Sequence, residues 1–385
     1  MKEIIGTSNR ILDVDLTRNK VDIYDVKPRE RRLYLGGKGL GLKLLYDRLP
    51  VGIDPLGEQN ILAFMPGVLM GTGAPCSARF AAVTKSPLTG IMVASSCGGP
   101  FGMNLKTGGW DGLLVRGKAT KPTYLLISSE GVEFRDAGEL WGRDTVEVQA
   151  RLEDKKAGIL AIGPAGENLV RFANIATGDR FLGRGGMGAV MGSKNLKAVV
   201  ALGGTYTILP VDQPALDRLK KKATTYINQN GITGGLYRNL GTPANVALSL
   251  KGNILPVNNF SDGTHAQALQ ISGEETKKNH GTSHHTCKPC TILCGKKGKF
   301  GGEELPSPEY ETVTILGSNL GVFDIEKIAE WNRICGKMGM DTISTGGTLA
   351  WVMEAAHRGL VQSDLKFGSP EGVSQALLDI AQKKR

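Results

Sequence analysis

The first two hundred residues alternate hydrophobic and polar positions with the period of two that is typical of half-buried β-strands. A polar segment, Thr17–Lys20, separates two such runs and predicts a first hairpin. A second hairpin is predicted over Tyr124–Phe134, with its turn at Glu130–Gly131. The apolar positions that define the first hairpin are Leu12, Val14 and Leu16 before the turn and Val21 and Ile23 after it. The amino-terminal part is therefore predicted to be rich in β-sheet.

After about residue 205 the apolar positions recur every three or four residues, which is the period of an amphipathic helix. We expect each apolar stripe to face a hydrophobic core. The four stripes are Leu216, Leu219, Ala223 and Ile227; Ile328, Trp331, Cys335 and Met338; Leu349, Val352, Met353 and Ala356; and Val373, Leu377, Leu378 and Ala381. The pattern predicts an α+β fold, with a β-rich domain over residues 1–205 and a mainly helical, incomplete domain over residues 206–385.

Composition and charge narrow the class of protein. The 53 glycines are roughly twice the usual share, which indicates many tight turns or close approaches of the backbone to a ligand. The net charge of +10 would suit an anionic partner, but only 6% of the residues are aromatic, so we expect no nucleic-acid binding. There is no signal-peptide pattern, and the longest apolar stretch, Ile61–Met70, is too short for a bilayer. We therefore expect a cytoplasmic protein without a membrane span.

Three cysteines form a C-x2-C-x3-C run at Cys287, Cys290 and Cys294. In the cytoplasm such residues are more often metal ligands or buried thiols than disulfides. This spacing lets one loop place several thiolates around an iron–sulfur cluster. A zinc site completed by His284 or His285 is the main alternative, whereas a thioredoxin-like redox pair would leave Cys294 unexplained. The spacing alone favours the cluster and leaves zinc open.

A four-cysteine cluster needs one more ligand than this run supplies. The remaining cysteines, Cys76, Cys97 and Cys335, are not obviously placed to provide it. The lysines around the run either steer an acidic partner protein or are ordinary solvated residues. These lysines are Lys288, Lys296, Lys297 and Lys299.

The densest glycine motif is Gly183–Gly188. It does not continue as a Walker motif, and no clear strand leads directly into it as a dinucleotide fingerprint requires. Successive backbone N–H groups and Arg184 could instead cradle a phosphate, with Arg79 as a second cationic contact. A simple tight turn is the alternative. The similar run Gly37–Gly41 is predicted to be a turn.

Several motifs occur in the same order, and across essentially the whole chain, as in the tungsten-containing aldehyde ferredoxin oxidoreductase family, which the sequence therefore resembles. The motifs are Gly36–Gly39, Ser86–Gly90, Gly183–Lys197, the cysteine run, Pro308–Thr312 and Gly339–Ser344. The resemblance implies an amino-terminal domain of two β-sheets that forms a base for paired pterins, with largely helical domains that close over it.

Members of this family oxidise aldehydes to carboxylic acids. The resemblance implies a tungsten or molybdenum bis-pterin, a magnesium ion that bridges the pterin phosphates, and a [4Fe–4S] cluster. It also implies a small aldehyde substrate and ferredoxin or a similar acidic electron carrier as partner, and it allows a homodimer. Family members are longer, and the additional part would carry the fourth cluster cysteine. Two alternatives stay open: a related reductase of an activated acid or aromatic acyl substrate, and a non-catalytic metal-binding fragment.

The resemblance assigns roles to individual residues, with the three cysteines of the run as cluster ligands. Glu311 would take up the proton released when an aldehyde hydrate is oxidised, provided that burial shifts its protonation towards the working pH, and Glu309 is the competing assignment. Asp341 would hydrogen-bond a pterin, although an aspartate in this context is ordinarily a helix N-cap. The residues expected to contact the pterins, their phosphates or the magnesium are Arg79, Ser96, Gly98, Arg184, Gly185, Gly186, Met187, Asp341, Thr345 and Gly346.

Overall fold

A computed structural model of the protein describes residues 2–152 and 157–384. The chain divides into two compact units. The first unit comprises the residues up to Lys221 together with Lys337–Met340 and Ala381–Lys384, and the second comprises Lys222–Gly336 and Asp341–Ile380. The domain boundary expected at residue 205 stays a prediction.

The described strands of the first unit form two six-stranded sheets and one two-stranded pair. In chain order the strands are β1 (Lys2–Ile5), β2 (Arg10–Asp15), β3 (Lys20–Asp25), β4 (Leu62–Pro66), β5 (Phe80–Lys85), β6 (Met92–Cys97), β7 (Gly112–Arg116), β8 (Thr123–Ser128), β9 (Gly131–Asp136), β10 (Gly158–Ala161), β11 (Ile175–Thr177), β12 (Arg180–Leu182), β13 (Leu196–Ala201) and β14 (Tyr206–Leu209). The first sheet has the order β3-β2-β7-β4-β5-β6, so β6 is an edge strand, and the second has the order β12-β11-β10-β13-β8-β9. β1 pairs with β14.

Both predicted hairpins are confirmed. β2 and β3 pair antiparallel, with Leu12 opposite Ile23. Asn19 in their turn has a φ of +48°, a left-handed conformation that asparagine tolerates better than most residues. β8 and β9 also pair antiparallel, and Gly131 is directly opposite Ser128 at the turn. The period-two pattern therefore located both hairpins.

The helices of the first unit pack around these sheets. They are α1 (Pro28–Tyr34), α2 (Gly37–Arg48), α3 (Pro100–Thr107), α4 (Thr145–Leu152), α5 (Pro164–Glu167) and α6 (Met187–Ser193). A hydrophobic core joins buried side chains of both six-stranded sheets with Phe101 and Leu105 of α3 and Val190 of α6. Burial of this shared core is what couples the two sheets.

The prediction of a turn at Gly37–Gly41 is wrong, because α2 begins at Gly37. A Cβ at Gly41 would lie only 2.8 Å from the side chain of Val83 in β5. Glycine in this run therefore allows a helix to pack closely on the first sheet, and it does not mark a turn.

The second unit is mainly helical, with a small antiparallel sheet of β15 (Ser283–His284), β16 (Lys296–Phe300) and β17 (Glu303–Pro306). The helices α7 (Gln213–Gln229), α12 (Ile325–Met338) and α14 (Val373–Gln382) contain residues of both units. The helices wholly within the second unit are α8 (Tyr237–Leu240), α9 (Asn245–Lys251), α10 (Gly273–His280), α11 (Tyr310–Thr312) and α13 (Thr342–His357). The expected α+β fold, sheet-rich first and helical afterwards, is confirmed.

The apolar stripes of α12, α13 and α14 are core faces as predicted, since each contains several fully buried side chains. These include Trp331 and Cys335, Leu349 and Met353, and Val373 and Leu377. The same prediction is wrong for α7, in which no described residue is buried and Leu219 is 62% exposed. An amphipathic period identifies a helix and its apolar face, but not whether that face is covered. No helix within the described ranges is long and apolar enough to cross a membrane.

Candidate functional site

The edge strand β6 brings together several residues that the sequence analysis selected. Arg79 lies just before β5, which pairs antiparallel with β6. Its Nη2 donates a hydrogen bond to the main-chain oxygen of Ser96 at 3.0 Å, and the side chains of both residues are exposed. A guanidinium carries five N–H donors, so this single anchor leaves donors for an anionic group.

The glycine loop approaches the same strand from the second sheet. It connects β12 to α6, and the main-chain N–H of Arg184 donates to the hydroxyl of Ser95 at 3.4 Å. Gly185 has a φ of +88°, and a Cβ there would lie 2.8 Å from the side chain of Val93. Arg184 is exposed. The fold therefore places Arg184 and Arg79 on neighbouring residues of one strand edge.

The rest of the glycine loop is packed between main-chain segments. A Cβ at Gly186, where φ is +72°, would lie 2.0 Å from the main-chain oxygen of Arg171, and a Cβ at Gly188 would lie 2.2 Å from that of Asn174. The side chain of Met187 is fully buried in the hydrophobic core. Main-chain groups are therefore what Gly186 and Met187 can offer to a ligand.

Lys106 is a buried lysine that hydrogen-bonds the main chain next to Arg79, and the sequence pattern did not identify it. It is 2% exposed, and its Nζ donates to the main-chain oxygens of Val68 at 2.5 Å and Gly67 at 3.4 Å. Gly67 lies beside Arg79, because a Cβ at Gly67 would be 3.2 Å from the Arg79 oxygen. Burial lowers the pKa of Lys106 to about 8, and the charge of Asp111 partly opposes this shift.

The groups along β6 fit the phosphates of a pterin cofactor. Guanidinium groups bind phosphate through paired hydrogen bonds, and successive backbone N–H groups form anion-binding concavities. Arg79 and Arg184 supply the cations, and the loop between them is open at Gly183, where a Cβ would meet no atom within 4 Å. Gly98, which follows β6, is buried.

The second unit carries the remaining predicted pterin contacts at the start of α13. Asp341 caps this helix, since its carboxylate accepts hydrogen bonds from the N–H groups of Ile343 and Ser344 at 3.2 Å and from the Ser344 hydroxyl at 2.7 Å. Thr345 is fully buried. A Cβ at Gly346 would lie 2.6 Å from the main-chain oxygen of Ile315. The ordinary N-cap role of Asp341 is thus realised, and Gly346 has a packing role.

Glu311 lies on the short helix α11, which is anchored by its neighbour Tyr310. The Tyr310 N–H donates a hydrogen bond to the Thr242 hydroxyl at 3.0 Å, and the Tyr310 phenol is 2.7 Å from the Ser249 hydroxyl. The side chains of Glu311 and Glu309 are both exposed. The proton-transfer role requires a buried carboxylate. The described residues bury neither Glu311 nor Glu309, so they do not meet this condition.

The three clustered cysteines lie on the loop that connects β15 to β16, and each is half-buried. A hydrogen bond of 3.0 Å from the His285 N–H to the Gly295 oxygen closes the base of this loop. Three thiols on one short loop have the donor chemistry that an iron–sulfur cluster needs. Within the ranges that the structure describes, no three His, Cys, Asp or Glu side chains are gathered closely enough to hold a metal ion. The cluster therefore stays a prediction.

Lys296 is not a surface lysine, so both expectations for it, that it steers a partner protein and that it is an ordinary solvated residue, are wrong. It is 6% exposed, and its Nζ donates to the main-chain oxygens of Leu293 and Arg238 at 2.6 and 2.7 Å and lies 3.1 Å from His284 Nδ1. Burial lowers the pKa of Lys296, while Cys294 opposes the shift. Lys297, in contrast, points outwards and pairs with Glu304 at 2.6 Å.

The inward direction of Lys296 has a signal in the sequence. Lys296, Gly298 and Phe300 occupy alternate positions of β16, and all three are buried. Side chains alternate between the two faces of a strand. Because Phe300 is apolar and is expected to face inwards, Lys296, four residues earlier, is expected on the same inner face. Arg238, which contacts the same loop, has no comparable local signal.

The other cysteines also lie within the described residues, and none of the six forms a disulfide. Cys76 is exposed, whereas Cys97 and Cys335 are buried. Burial raises the pKa of Cys335 to about 12, and the nearby charge of Asp341 adds to the effect. In the absence of a metal ion, this environment favours the thiol over the thiolate.

Comparison with known families matches nearly the whole chain. Residues 11–203 match the model of the aldehyde ferredoxin oxidoreductase N-terminal domain, and residues 218–385 match the model of domains 2 and 3 of the same family. The tungsten-containing aldehyde ferredoxin oxidoreductase of Pyrococcus furiosus is 38% identical over 365 residues, covering 93% of this chain and 60% of that protein. The protein of the same description from Thermococcus kodakarensis is 37% identical, covering 98% of this chain and 65% of that protein.

A solved structure is also similar along the chain. The active-site complex BamBC of benzoyl coenzyme A reductase, in complex with 1,5-dienoyl-CoA, superposes with a TM-score of 0.82 and 28% sequence identity, covering 97% of this chain and 59% of that chain. This chain spans about 60 to 65% of the length of the curated relatives named above. The chain belongs to the aldehyde ferredoxin oxidoreductase family.

Proposed function

We propose that this chain contains the pterin-binding and cluster-binding parts of an oxidoreductase that converts aldehydes to carboxylic acids. The tungsten-containing relatives and their family support this proposal. When bound, a tungsten or molybdenum bis-pterin supplies two-electron oxidation of the substrate, and a [4Fe–4S] cluster supplies one-electron transfer to a ferredoxin-type acidic carrier.

The observation that carries the proposal is the grouping of two exposed arginines on the edge of β6. Arg79 is held in place by its hydrogen bond to the Ser96 oxygen, so it can bind and orient one phosphate of the cofactor. Arg184 lies on the glycine loop that packs on the same strand, so it can bind a second phosphate. The buried Lys106 fixes the main chain beside Arg79.

The residues of the second unit have further proposed roles. Cys287, Cys290 and Cys294 would hold the cluster, and the start of α13, from Asp341 to Gly346, would face a pterin. Glu311 would accept the proton released from the aldehyde hydrate. Since Glu311 is exposed among the described residues, this role requires that further protein or the substrate exclude water around it.

Elemental analysis of the anaerobically purified protein, combined with an aldehyde-oxidation assay with a viologen acceptor, tests the proposal. Tungsten or molybdenum together with several iron atoms per chain, and activity on an aldehyde, would support it. Zinc without tungsten, molybdenum or excess iron would refute it.

The Arg79→Ala variant tests the phosphate contact. Its tungsten content per chain should be at least about tenfold lower than that of the wild type, as expected when a charge-assisted contact is removed. Arg32→Ala, which removes an exposed arginine of α1, is the matched control.

A reductase of an activated aromatic acid is the second candidate, because a benzoyl coenzyme A reductase complex shares the fold over 97% of this chain. The two functions differ in substrate and in the direction of electron flow. Incubation with reduced viologen and an aromatic acyl-CoA distinguishes them, since viologen oxidation that depends on the thioester, without activity on any aldehyde, would favour the reductase.

A further inference from the structure

Two cationic side chains lie on the inner side of the cysteine loop. The ammonium of Lys296 has three N–H donors, and three acceptors surround it: the main-chain oxygens of Leu293 and Arg238, at 2.6 and 2.7 Å, and Nδ1 of His284 at 3.1 Å. Because an ammonium can only donate, this contact is a hydrogen bond in the tautomer of His284 whose Nδ1 carries no proton. This bond therefore removes Nδ1 of His284 from metal binding.

The second cation is Arg238, at the start of the short helix α8. Its Nη2 donates to the main-chain oxygen of Thr291 and to Asn228 Oδ1, the latter at 2.6 Å. Its Nε is buried, with no partner among the described residues. The end of the same helix also approaches the loop, because a Cβ at Gly241 would lie 3.0 Å from the Cys294 oxygen.

Both cations act on the same short segment. Thr291 and Leu293 lie between the second and third cysteines of the run, and their main-chain oxygens receive the hydrogen bonds of Arg238 and Lys296, respectively. Leu293 has a φ of +61°, an unfavourable conformation for a leucine, and the hydrogen bond from Lys296 to its oxygen helps to offset this cost. The segment from Cys290 to Cys294 is thus anchored at two points.

We propose that Lys296 and Arg238 are positioning residues that hold the Cys290–Cys294 half of the loop in the conformation that receives a metal centre. The inference rests on the proposed function only for the identity of that centre. Lys297, the next residue of β16, points away and has no such role.

Amide hydrogen exchange of the metal-free chain tests the anchoring directly. The variants are Lys296→Met, which keeps the length of the side chain, and Arg238→Lys, which keeps a charge but loses the fork of donors. In both, exchange of the amides of residues 286–294 should be about tenfold faster or more, while exchange in β2 and β4 of the first unit stays unchanged. Lys297→Met should leave the loop as in the wild type. Wild-type exchange rates in the loop of both anchor variants would overturn the proposal.

Titration with Co²⁺, which reports thiolate ligation through its charge-transfer absorption, separates this proposal from the proposed function. The wild type and Lys297→Met should bind Co²⁺ equally, and the two anchor variants should bind about tenfold more weakly. Equal Co²⁺ affinity in all four proteins would overturn the positioning role. If the wild type itself shows no thiolate band, the cluster assignment of the proposed function fails, and the exchange rates alone then decide the anchoring.

Discussion

The glycine loop of the first unit and the cysteine loop of the second are both predicted to hold cofactors, but they are held in shape by different forces. The glycine loop is fixed by contact, since main-chain oxygens of Arg171 and Asn174 occupy the space that a side chain would need. The cysteine loop is fixed by hydrogen bonds from Lys296 and Arg238. Steric fixation tolerates no added atom, whereas polar fixation depends on charge and donor geometry.

The largest effect should follow from adding one methyl group to the sterically fixed loop. Gly186→Ala places a Cβ 2.0 Å from the Arg171 oxygen at a φ of +72°, so the loop must move. We expect the free energy of unfolding to fall by about 3 kcal/mol or more. Gly183→Ala is the matched control, because its Cβ meets no atom within 4 Å, and it should change stability by less than about 1 kcal/mol. Equal urea midpoints for the two variants would contradict steric fixation.

Buried lysines that donate hydrogen bonds to main-chain oxygens also occur in the first unit. They should make the free energy of unfolding depend on pH. Lys106 and Lys194 donate to carbonyl oxygens, and burial lowers the pKa of each to about 8. Between pH 8 and about 10.5 the unfolded state binds more protons than the folded state, so stability should rise with pH in this window. Each lysine should contribute on the order of 1 to 3 kcal/mol to this rise in the free energy of unfolding.

The measurement is urea unfolding at pH 8 and at pH 10 for the wild type and for Lys106→Met. The variant should show a smaller rise in the free energy of unfolding between the two pH values, whatever its stability at pH 8. Lys121→Met, which removes an exposed lysine that pairs with Asp136, is the control and should keep the wild-type rise. An unchanged rise in Lys106→Met would mean that its ammonium is not destabilised by burial.

A smaller effect is expected at the polar cap of α13. Asp341→Ala removes three hydrogen bonds to Ile343 and Ser344 and should lower the free energy of unfolding by about 1 kcal/mol. Asp341→Asn keeps only one of the two capping oxygens, since Ile343 and Ser344 donate to different ones, and it should therefore lose less stability than Asp341→Ala. If Asp341→Asn nevertheless loses tungsten in elemental analysis, the carboxylate has a role in cofactor binding beyond the cap. Destabilisation by both variants to the same extent would argue against the cap as the source of the effect.

The smallest effect on stability should come from Arg79, which is exposed and makes one hydrogen bond to the Ser96 oxygen. Arg79→Ala should change the unfolding free energy by less than about 0.5 kcal/mol, as is usual for surface substitutions. It should nevertheless weaken the binding of pyrophosphate, used as a probe of the phosphate contacts, in isothermal titration calorimetry. A large loss of stability in this variant would instead assign Arg79 a mainly structural role.

The sequence by itself determined the local elements and the donor chemistry. Alternation at Leu12 and Val14 located a hairpin, and the helical period of the last three stripes located α12, α13 and α14, because these patterns repeat within a few residues of each other. The spacing of the three cysteines likewise restricted the chemistry of their loop to a metal centre or a redox pair. The order of the motifs carried the family resemblance, which the comparisons confirmed.

Only the tertiary structure decided which faces are covered and which carbonyl each cation meets. α7 has the period of a core helix and yet contains no buried residue among those described. Lys296 is surrounded by lysines in the sequence, but it is bonded to the oxygen of Arg238, a residue 58 positions away. Gly186 and Gly188 are required by main-chain oxygens of other segments, which a local pattern does not contain. Such long-range contacts depend on the packing of the whole unit, and packing is not a periodic property of the chain.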